Sequence, residues 1–151
     1  MAKTLLYIFI AALSFLLASC LDIECVNKAE VQVKTFFYDY NTKQLAVPDT
    51  ITLHGIDRDE KIYDNKKITP PALLPLRADG NETKFVIEIN GTTDTIRFVH
   101  SNTFRLISKE CGYLMFHTID SIFFTKHGID SISLSSKEIN FNNIENVAIF
   151  Y

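Results

Sequence analysis

Alternating apolar and polar residues dominate the chain from residue 29 onward, and this period of two predicts β-strands. In the first such run, Val31, Val33 and Phe37 alternate with Gln32 and Lys34. Further strands are predicted near 51–54, 83–90, 93–100, 104–108, 113–118, 121–126, 129–135 and 146–151. We find no amphipathic run of helical length in the sequence. The pattern therefore predicts an all-β protein.

Two tight turns are predicted within this series. Asn90-Gly91 separates two alternating runs, and both central positions of a type I′ turn need positive φ, so strands 83–90 and 93–100 are expected to form a hairpin. Ser101-Asn102 is expected to mark the next turn. By contrast, segment 57–82 is the least strand-like. It is charged at first and carries Pro70, Pro71 and Pro75, so we expect a long connection that crosses between sheets.

The number and length of the strands indicate the architecture. Seven or eight short strands over about 120 residues are typical of a two-layer antiparallel β-sandwich of immunoglobulin-like size. A small closed barrel of lipocalin type is the alternative. The chain contains no Trp, so the Cys–Trp–Cys core of immunoglobulin domains is absent. We expect one domain over residues 29–151.

The first nineteen residues have a different pattern, which is typical of an export signal. Lys3 is followed by an apolar run over 5–18 that only Ser14 interrupts. As a helix this run spans about 21 Å, short of the roughly 30 Å hydrocarbon core of a bilayer. Residues 1–19 are therefore predicted to be a signal peptide and not a permanent membrane span.

The run ends in Leu17-Ala18-Ser19-Cys20, which resembles a bacterial lipobox. The resemblance implies that the Cys20 thiol accepts lipid, including palmitate, and that acyl chains hold the protein on a membrane. Residues 20–28 become the lipidated cysteine and a short tether. An ordinary signal peptide with an incidental Cys20 is the alternative. Leu21, and not aspartate, follows the cysteine, which favours the outer membrane and leaves open whether the domain faces the periplasm or the exterior.

Cys25 and Cys111 remain once Cys20 is assigned to lipid. An even number of cysteines in an oxidising compartment predicts a disulfide between them. Two buried free thiols, or a metal pair with histidines, are the alternatives. No zinc site is expected, because the four histidines lack ligand spacing and each is expected to lie alone on its strand. They are His54, His100, His117 and His127.

Charge and motifs exclude several classes of function. The chain carries 18 acidic and 15 basic side chains, and this net charge of −3 gives no basic face for nucleic acid. It lacks a nucleophile elbow, a Gly-rich phosphate loop and a metalloprotease helix motif. Asp57, Asp59 and Asp64 lack the Gly and distal Glu of a calcium loop. We therefore expect no catalytic residues, no metal and no cofactor.

A short motif recurs in which Asp precedes Ser or Thr and then an aliphatic residue. It resembles the acceptor motif for O-linked glycans on exported proteins of Bacteroidetes-type bacteria. The hydroxyl residues are Thr50, Thr95, Ser121 and Ser131. The alternative is structural, because an Asp that closes a turn before a strand produces the same pattern in any all-β protein.

Several motifs together resemble the small uncharacterised envelope lipoproteins of the Bacteroidetes. They are the lipobox, Cys25, Phe36-Phe37-Tyr38-Asp39, Leu74-Pro75-Leu76, Cys111-Gly112-Tyr113 and 127–132. That family carries no established activity, so the resemblance implies a class and a cellular address only.

Three functions remain open at this stage. The preferred one is a lipid-anchored, non-catalytic binding or structural module of the cell envelope, whose partner is the membrane and an envelope protein or glycan. The second is a carbohydrate-binding lipoprotein, with rings for stacking on sugars at Phe36, Tyr38, Tyr40 and Tyr63. The third is a hydrolase with a carboxylate pair, which predicts a concave pocket and acids of raised pKa.

Overall fold

The computed structural model describes residues 31–109, 112–142 and 144–151. Within these ranges the chain forms ten β-strands. They are β1 (Val33–Tyr38), β2 (Ile51–Gly55), β3 (Lys61–Lys66), β4 (Ala72–Leu74), β5 (Glu82–Ile89), β6 (Thr92–Ser108), β7 (Gly112–Phe124), β8 (Ser131–Leu134), β9 (Glu138–Ile139) and β10 (Val147–Phe150). The described residues include no helix long and apolar enough to cross a membrane.

The strands form two packed sheets, which confirms the predicted β-sandwich. The four-stranded sheet has the order β4-β1-β10-β8, and the six-stranded sheet has the order β3-β2-β5-β6-β7-β9. Neighbouring strands run antiparallel except β1 and β10, which pair in parallel with Phe37 beside Ile149. The first and last described strands therefore lie side by side in the middle of the smaller sheet.

The facing sides of the two sheets make one hydrophobic core. Phe37 comes from the smaller sheet, while Phe85 and Phe98 come from the larger one, and all three are buried. The rings of Phe85 and Phe98 meet edge to face at 6.1 Å. Burial of each such side chain contributes about 1.5 to 3 kcal/mol to the free energy of unfolding. The period-two pattern thus reflects a sheet with one buried face.

The predicted Asn90-Gly91 hairpin is confirmed. Asn90 has φ of 49° and Gly91 has φ of 85°, so both central residues occupy the left-handed region that a type I′ turn requires. Ile89 pairs with Thr92 across the turn, and the register continues to Glu82 opposite Val99.

The predicted breaks at 101–102 and at 119–120 are wrong. β6 continues through Asn102 to Ser108, and β7 is one strand from Gly112 to Phe124 with a bulge beside Asp120. Asn102 is compatible with the strand because its amide binds the backbone of residues 77–80 and not that of its own neighbours.

Segment 57–82 crosses between the sheets as predicted, but it also contains two strands that the sequence did not indicate. β3 lies at the edge of the six-stranded sheet and β4 at the edge of the four-stranded sheet, with a cis Pro70-Pro71 bond between them. Edge strands tolerate the charges and prolines that made this segment look irregular. The two-residue β9 was not predicted either.

The outer halves of β6 and β7 form a two-stranded ribbon, defined here as residues 102–108 and 112–117. β5 pairs with β6 only as far as Val99, and β9 pairs with β7 only at His117 and Thr118. Near the end of the ribbon, Leu106 pairs with Tyr113, and their side chains are 57% and 67% exposed. The ribbon therefore exposes large apolar side chains beyond the sandwich.

A buried carboxylate fastens the turn between β7 and β8. Asp94 lies inside β6, where its Oδ1 accepts hydrogen bonds from the Thr125 hydroxyl at 2.6 Å and the His127 N–H at 2.9 Å. Its Oδ2 accepts from the N–H groups of Gly128 at 2.7 Å and Ile129 at 2.9 Å. Burial opposes ionisation, yet these donors hold the pKa of Asp94 below its ordinary value.

Asp94→Asn is expected to lower the free energy of unfolding by about 2 to 4 kcal/mol, because an amide NH2 would face backbone donors that lose their acceptor. Asp120→Asn is the matched control, since Asp120 belongs to the same sequence motif but is exposed. It should change stability by less than about 0.5 kcal/mol. Chemical denaturation measures both, and equal effects of the two substitutions would contradict this role of Asp94.

Candidate functional site

The outer side of the four-stranded sheet carries a group of aromatic rings, which we call the aromatic face: Phe36, Tyr38, Tyr40 and Phe150. β1 points its odd-numbered side chains into the core, so Phe36 and Tyr38 point outward. Phe150 of β10 pairs with Tyr38 and therefore lies on the same side. Tyr40 follows β1 and is 43% exposed.

The rings of the aromatic face are arranged as a platform. Tyr38 and Phe150 stack with centroids 5.3 Å apart and an interplanar angle of 29°. The Lys43 ammonium lies 3.8 Å from the Tyr40 ring centroid and 4.8 Å from that of Phe150. This cation–π contact holds a positive charge beside the stacked rings.

Hydrogen-bonding groups border the platform. The Tyr38 hydroxyl donates to Glu145 Oε2 at 2.5 Å, and the Ser135 hydroxyl donates to Glu145 Oε1 at 2.6 Å. The bond to Glu145, together with burial, raises the pKa of Tyr38 to about 12. Ser131 pairs with Phe150 and adds another hydroxyl on the same side of the sheet. Flat rings beside hydroxyl and carboxylate groups have the chemistry that sugar rings require.

Three of the four aromatic residues predicted for sugar stacking therefore lie together, and one does not. Tyr63 is on β3 of the other sheet, where its hydroxyl accepts the Leu73 N–H at 2.9 Å and its ring packs against the core. Phe150 was missed. The sequence predicted a strand over 146–151, which contains Phe150. Its place beside Tyr38, however, depends on the parallel pairing of β1 with β10.

A separate cleft of about 490 Å³ opens between the turn after β2 and the start of β5. Its walls include Arg58, Lys61, Arg77, Glu82 and Lys84. Several of these charges are paired nearby: Lys61 with Asp64 at 2.7 Å, Arg77 with Asp79 at 3.0 Å, and Lys84 with Glu82 at 2.7 Å.

The charges in this cleft bear on the hydrolase hypothesis. A general acid needs a carboxyl group whose pKa is raised. Hydrogen bonds from Lys84 and Arg97 instead lower the pKa of Glu82, so Glu82 stays ionised near neutral pH. The cleft is concave, as the hypothesis requires, but Glu82 is not suited to donate a proton.

His100 and His117 form a buried pair, which corrects the expectation that each histidine lies alone on its strand. Their rings meet edge to face at 5.4 Å, because β6 and β7 place Asn102 opposite His117 and His100 opposite Ile119. The two residues are 17 positions apart in sequence, so no local spacing indicated the contact. The described residues contain no group of three or more His, Cys, Asp or Glu side chains that could hold a metal ion.

Asn102 connects this pair to the rest of the fold. Its Nδ2 donates to the carbonyls of Arg77, Ala78 and Gly80 at 2.6–3.1 Å, so its Oδ1 must be the acceptor for both histidines. The Nδ1 atoms of His100 and His117 therefore carry the protons, at 2.8 and 2.7 Å from that oxygen.

Placing the proton of His100 on Nδ1 also determines the hydrogen bond to Thr83. His100 Nε2 is left as an acceptor, and the Thr83 hydroxyl donates to it at 2.8 Å. Thr83 Oγ1 in turn accepts the Arg77 N–H at 2.9 Å. Burial, and then the neighbouring His100, lower the pKa of His117 to about 4.

The predicted glycan acceptors are dispersed and half-buried. Thr50 precedes β2, Thr95 lies in β6, Ser121 in β7 and Ser131 in β8. The Asp of the second motif, Asp94, holds a turn from within a strand and does not close one. Glycosylation at these hydroxyls stays a prediction.

All three cysteines lie outside the described residues, as does the whole predicted signal peptide. The lipidation of Cys20 and the disulfide between Cys25 and Cys111 therefore stay predictions.

Comparison with known proteins gives one match. A model described as a family of unknown function (DUF6452) matches residues 50–151, which are more than half of the chain. The match includes the His100–His117 pair, the ribbon and Phe150, while Phe36, Tyr38 and Tyr40 precede it. No curated protein and no solved structure matches the chain.

The low pKa of His117 predicts an acid-sensitive fold. The unfolded chain binds a proton at His117 near pH 6.5, whereas the folded chain does so only near pH 4. Stability should therefore be full above about pH 6.5 and fall by about 3 kcal/mol as the pH drops to 4. Urea denaturation across this pH range should show a smaller fall in the free energy of unfolding for His117→Gln than for the wild-type protein. His54→Gln is the control and should keep the wild-type dependence of the free energy of unfolding on pH. If His117→Gln also keeps that dependence, the low pKa of His117 is refuted.

Proposed function

The chain belongs to this family of unknown function, and because membership assigns no activity, we propose from its own residues that it is a lipid-anchored, non-catalytic binding module of the cell envelope. The observation that carries the proposal is the sequence Leu17-Ala18-Ser19-Cys20 at the end of the apolar run 5–18. Small residues before a cysteine suit a lipoprotein signal peptidase, and the cysteine thiol is the group that receives lipid.

The roles of polar side chains among the described residues support a binding module. Buried Asp94 and half-buried Asn102, for example, hold loops and are already engaged by protein partners. The outer membrane is the proposed location, because Leu21 and not aspartate follows Cys20.

Cys20→Ala should release the protein from membranes and leave the precursor uncut, because the thiol that accepts lipid is absent. Fractionation and immunoblotting of cells measure both effects. Cys25→Ala is the matched control, since it also removes a cysteine but leaves the lipobox intact, and it should remain in the membrane fraction at mature size. Mature Cys20→Ala protein in the membrane fraction would contradict the proposal.

The second candidate function is carbohydrate binding, and the aromatic face favours it. Tyr38 and Phe150 supply stacked rings, and Glu145 and Ser131 supply polar atoms at their border. Aromatic residues are enriched among the few side chains that contribute most to affinity at binding sites, and each ring offers a large contact area. The ligand class is then an envelope or extracellular glycan.

On a glycan array, Tyr40→Ala and Phe150→Ala should each weaken binding at least about tenfold, the loss expected for one stacked ring. Phe123→Ala is the control, because Phe123 is 49% exposed but lies on the other sheet with Arg97 over its ring. It should leave binding unchanged. A wild-type protein without any glycan signal, or equal losses in all three variants, would remove this candidate.

A further inference from the structure

The ribbon continues the core side of the six-stranded sheet into a region where no described strand covers it. The inward orientation of Asn102 is repeated at the next two pairs along the ribbon, Phe104–Met115 and Leu106–Tyr113. We call these four side chains the ribbon face. Phe104, Leu106 and Tyr113 are 69%, 57% and 67% exposed. Clustered apolar exposure of this kind marks a surface that contacts a membrane or another protein.

The opposite side of the ribbon is polar or already covered by protein. Thr103 and Arg105 point to that side, because they alternate with Phe104 along β6. Phe116 pairs with Thr103 and packs edge to face against Phe141 at 5.2 Å, with the Arg105 guanidinium 4.9 Å from the Phe116 ring centroid. Phe116 is therefore buried. The ribbon is thus amphipathic, with its three most exposed apolar side chains on one side.

The start of β1 lies at the end of the sandwich from which the ribbon projects, as the β4 side indicates. Val33 pairs with Leu74, the last residue of β4. The chain then crosses to the other sheet, where the carbonyls of Arg77 and Gly80 accept hydrogen bonds from Asn102 at 3.1 and 2.6 Å. Only a short crossing therefore separates Val33 from the base of the ribbon.

The β10 side gives the same location independently. The Lys34 N–H donates to Asn146 Oδ1 at 3.0 Å, and Asn146 Nδ2 donates to the Glu138 carbonyl at 3.2 Å. Glu138 pairs with Thr118 of β7, next to the ribbon base. The chain that precedes β1 therefore arrives at the ribbon end of the molecule, on the side of the four-stranded sheet, which is the side toward which the ribbon face points.

The length of chain between the predicted lipid and β1 places a bilayer within reach of the ribbon. The described chain begins at Val31, whose side chain packs against the core. Cys20 precedes Val31 by 11 positions. Fully extended, 11 residues span at most about 40 Å, whereas the ribbon from 102 to 108 is about 20 Å long. A bilayer that holds lipid on Cys20 can therefore meet the ribbon face.

The charges of the ribbon are complementary to an anionic lipid surface. Its two strands contain Arg105 and no acidic residue, and Lys109 follows β6, while Glu110 lies outside the described residues. Arg105 is on the side of the ribbon opposite the ribbon face, so it would face the headgroups when the apolar side chains lie deeper. Basic side chains near such a surface attract anionic lipids, and their long stems let the charged group reach phosphates.

We propose that the ribbon face is a membrane-contact surface, which lies in the interfacial region of the bilayer to which lipid on Cys20 attaches the protein. This inference rests on the proposed lipid anchoring. Phe104, Leu106 and Tyr113 enter the boundary between headgroups and acyl chains, as the apolar side of an interfacial amphipathic element does. The tether keeps the ribbon close to the bilayer, so a small apolar surface is sufficient for contact. The contact fixes the orientation of the domain on the membrane.

The test uses the absence of tryptophan from the chain. Phe104→Trp places a single reporter on the ribbon face, and Phe123→Trp, the matched control, places one at an exposed ring on the outer side of β7. Each mature variant is purified from membranes and reconstituted in phosphatidylethanolamine–phosphatidylglycerol vesicles with or without lipid brominated on its acyl chains. Because bromine quenches only nearby indole, fluorescence should fall at least about twofold for Phe104→Trp and by less than about a tenth for Phe123→Trp.

A second pair of variants tests which side of the ribbon meets the lipid. Leu106→Asp, added to Phe104→Trp, should reduce the bromine quenching by at least about half, because it places a carboxylate on the ribbon face. Thr103→Asp introduces the same carboxylate on the opposite side and should change the quenching by less than about a fifth. Equal effects of Leu106→Asp and Thr103→Asp would contradict the proposed orientation.

The remaining outcomes separate the ribbon contact from the anchoring. If intact mass shows lipid on Cys20 and the protein floats with the vesicles, an unquenched Phe104→Trp overturns the ribbon contact and leaves the anchoring intact. Protein without lipid on Cys20 refutes the anchoring, and the ribbon contact with it. A blue shift of Phe104→Trp emission that rises with the protein-to-lipid ratio, without bromine quenching, indicates a second copy of the chain on the ribbon face and replaces the membrane.

Discussion

The fold depends on the long antiparallel pairing of β6 with β7. These strands run together from Ile96 opposite Phe124 to Ser108 opposite Gly112. Two polar side chains of β6 fix different crossing segments: buried Asp94 holds the turn after β7, and half-buried Asn102 holds the chain after β4. Because a buried carboxylate or amide is costly without partners, these residues specify where the loops pass as well as stabilising them.

The same pairing explains where surfaces for binding are available. β6 and β7 extend beyond the four-stranded sheet, so the core side of the ribbon is left exposed within the described residues. The outer side of the four-stranded sheet has a different chemistry. There, β1 and β10 present the rings of Tyr38 and Phe150 outward, with the Glu145 carboxylate beside them. The ribbon exposes apolar side chains, whereas the aromatic face combines flat rings with hydroxyl and carboxylate groups.

Local patterns in the sequence predicted local structure, and contacts distant in sequence account for the errors. Asn90-Gly91 specified its hairpin because both residues adopt positive φ at little cost. Ser101-Asn102 has turn-forming composition, but Asn102 binds carbonyls more than 20 residues away and leaves the strand intact. The His100–His117 pair and the place of Phe150 beside Tyr38 likewise follow from strand pairing that the sequence alone did not indicate.

The central claim is that a β-sandwich is delivered to the envelope and held there by lipid on Cys20. Intact-mass and peptide mass spectrometry of the protein purified from membranes measures this directly. The account predicts an N-terminus at Cys20 that carries diacylglyceryl and acyl groups, with Cys25 and Cys111 linked in the same molecule. A mature chain that begins at another residue, or an unmodified Cys20, would contradict it.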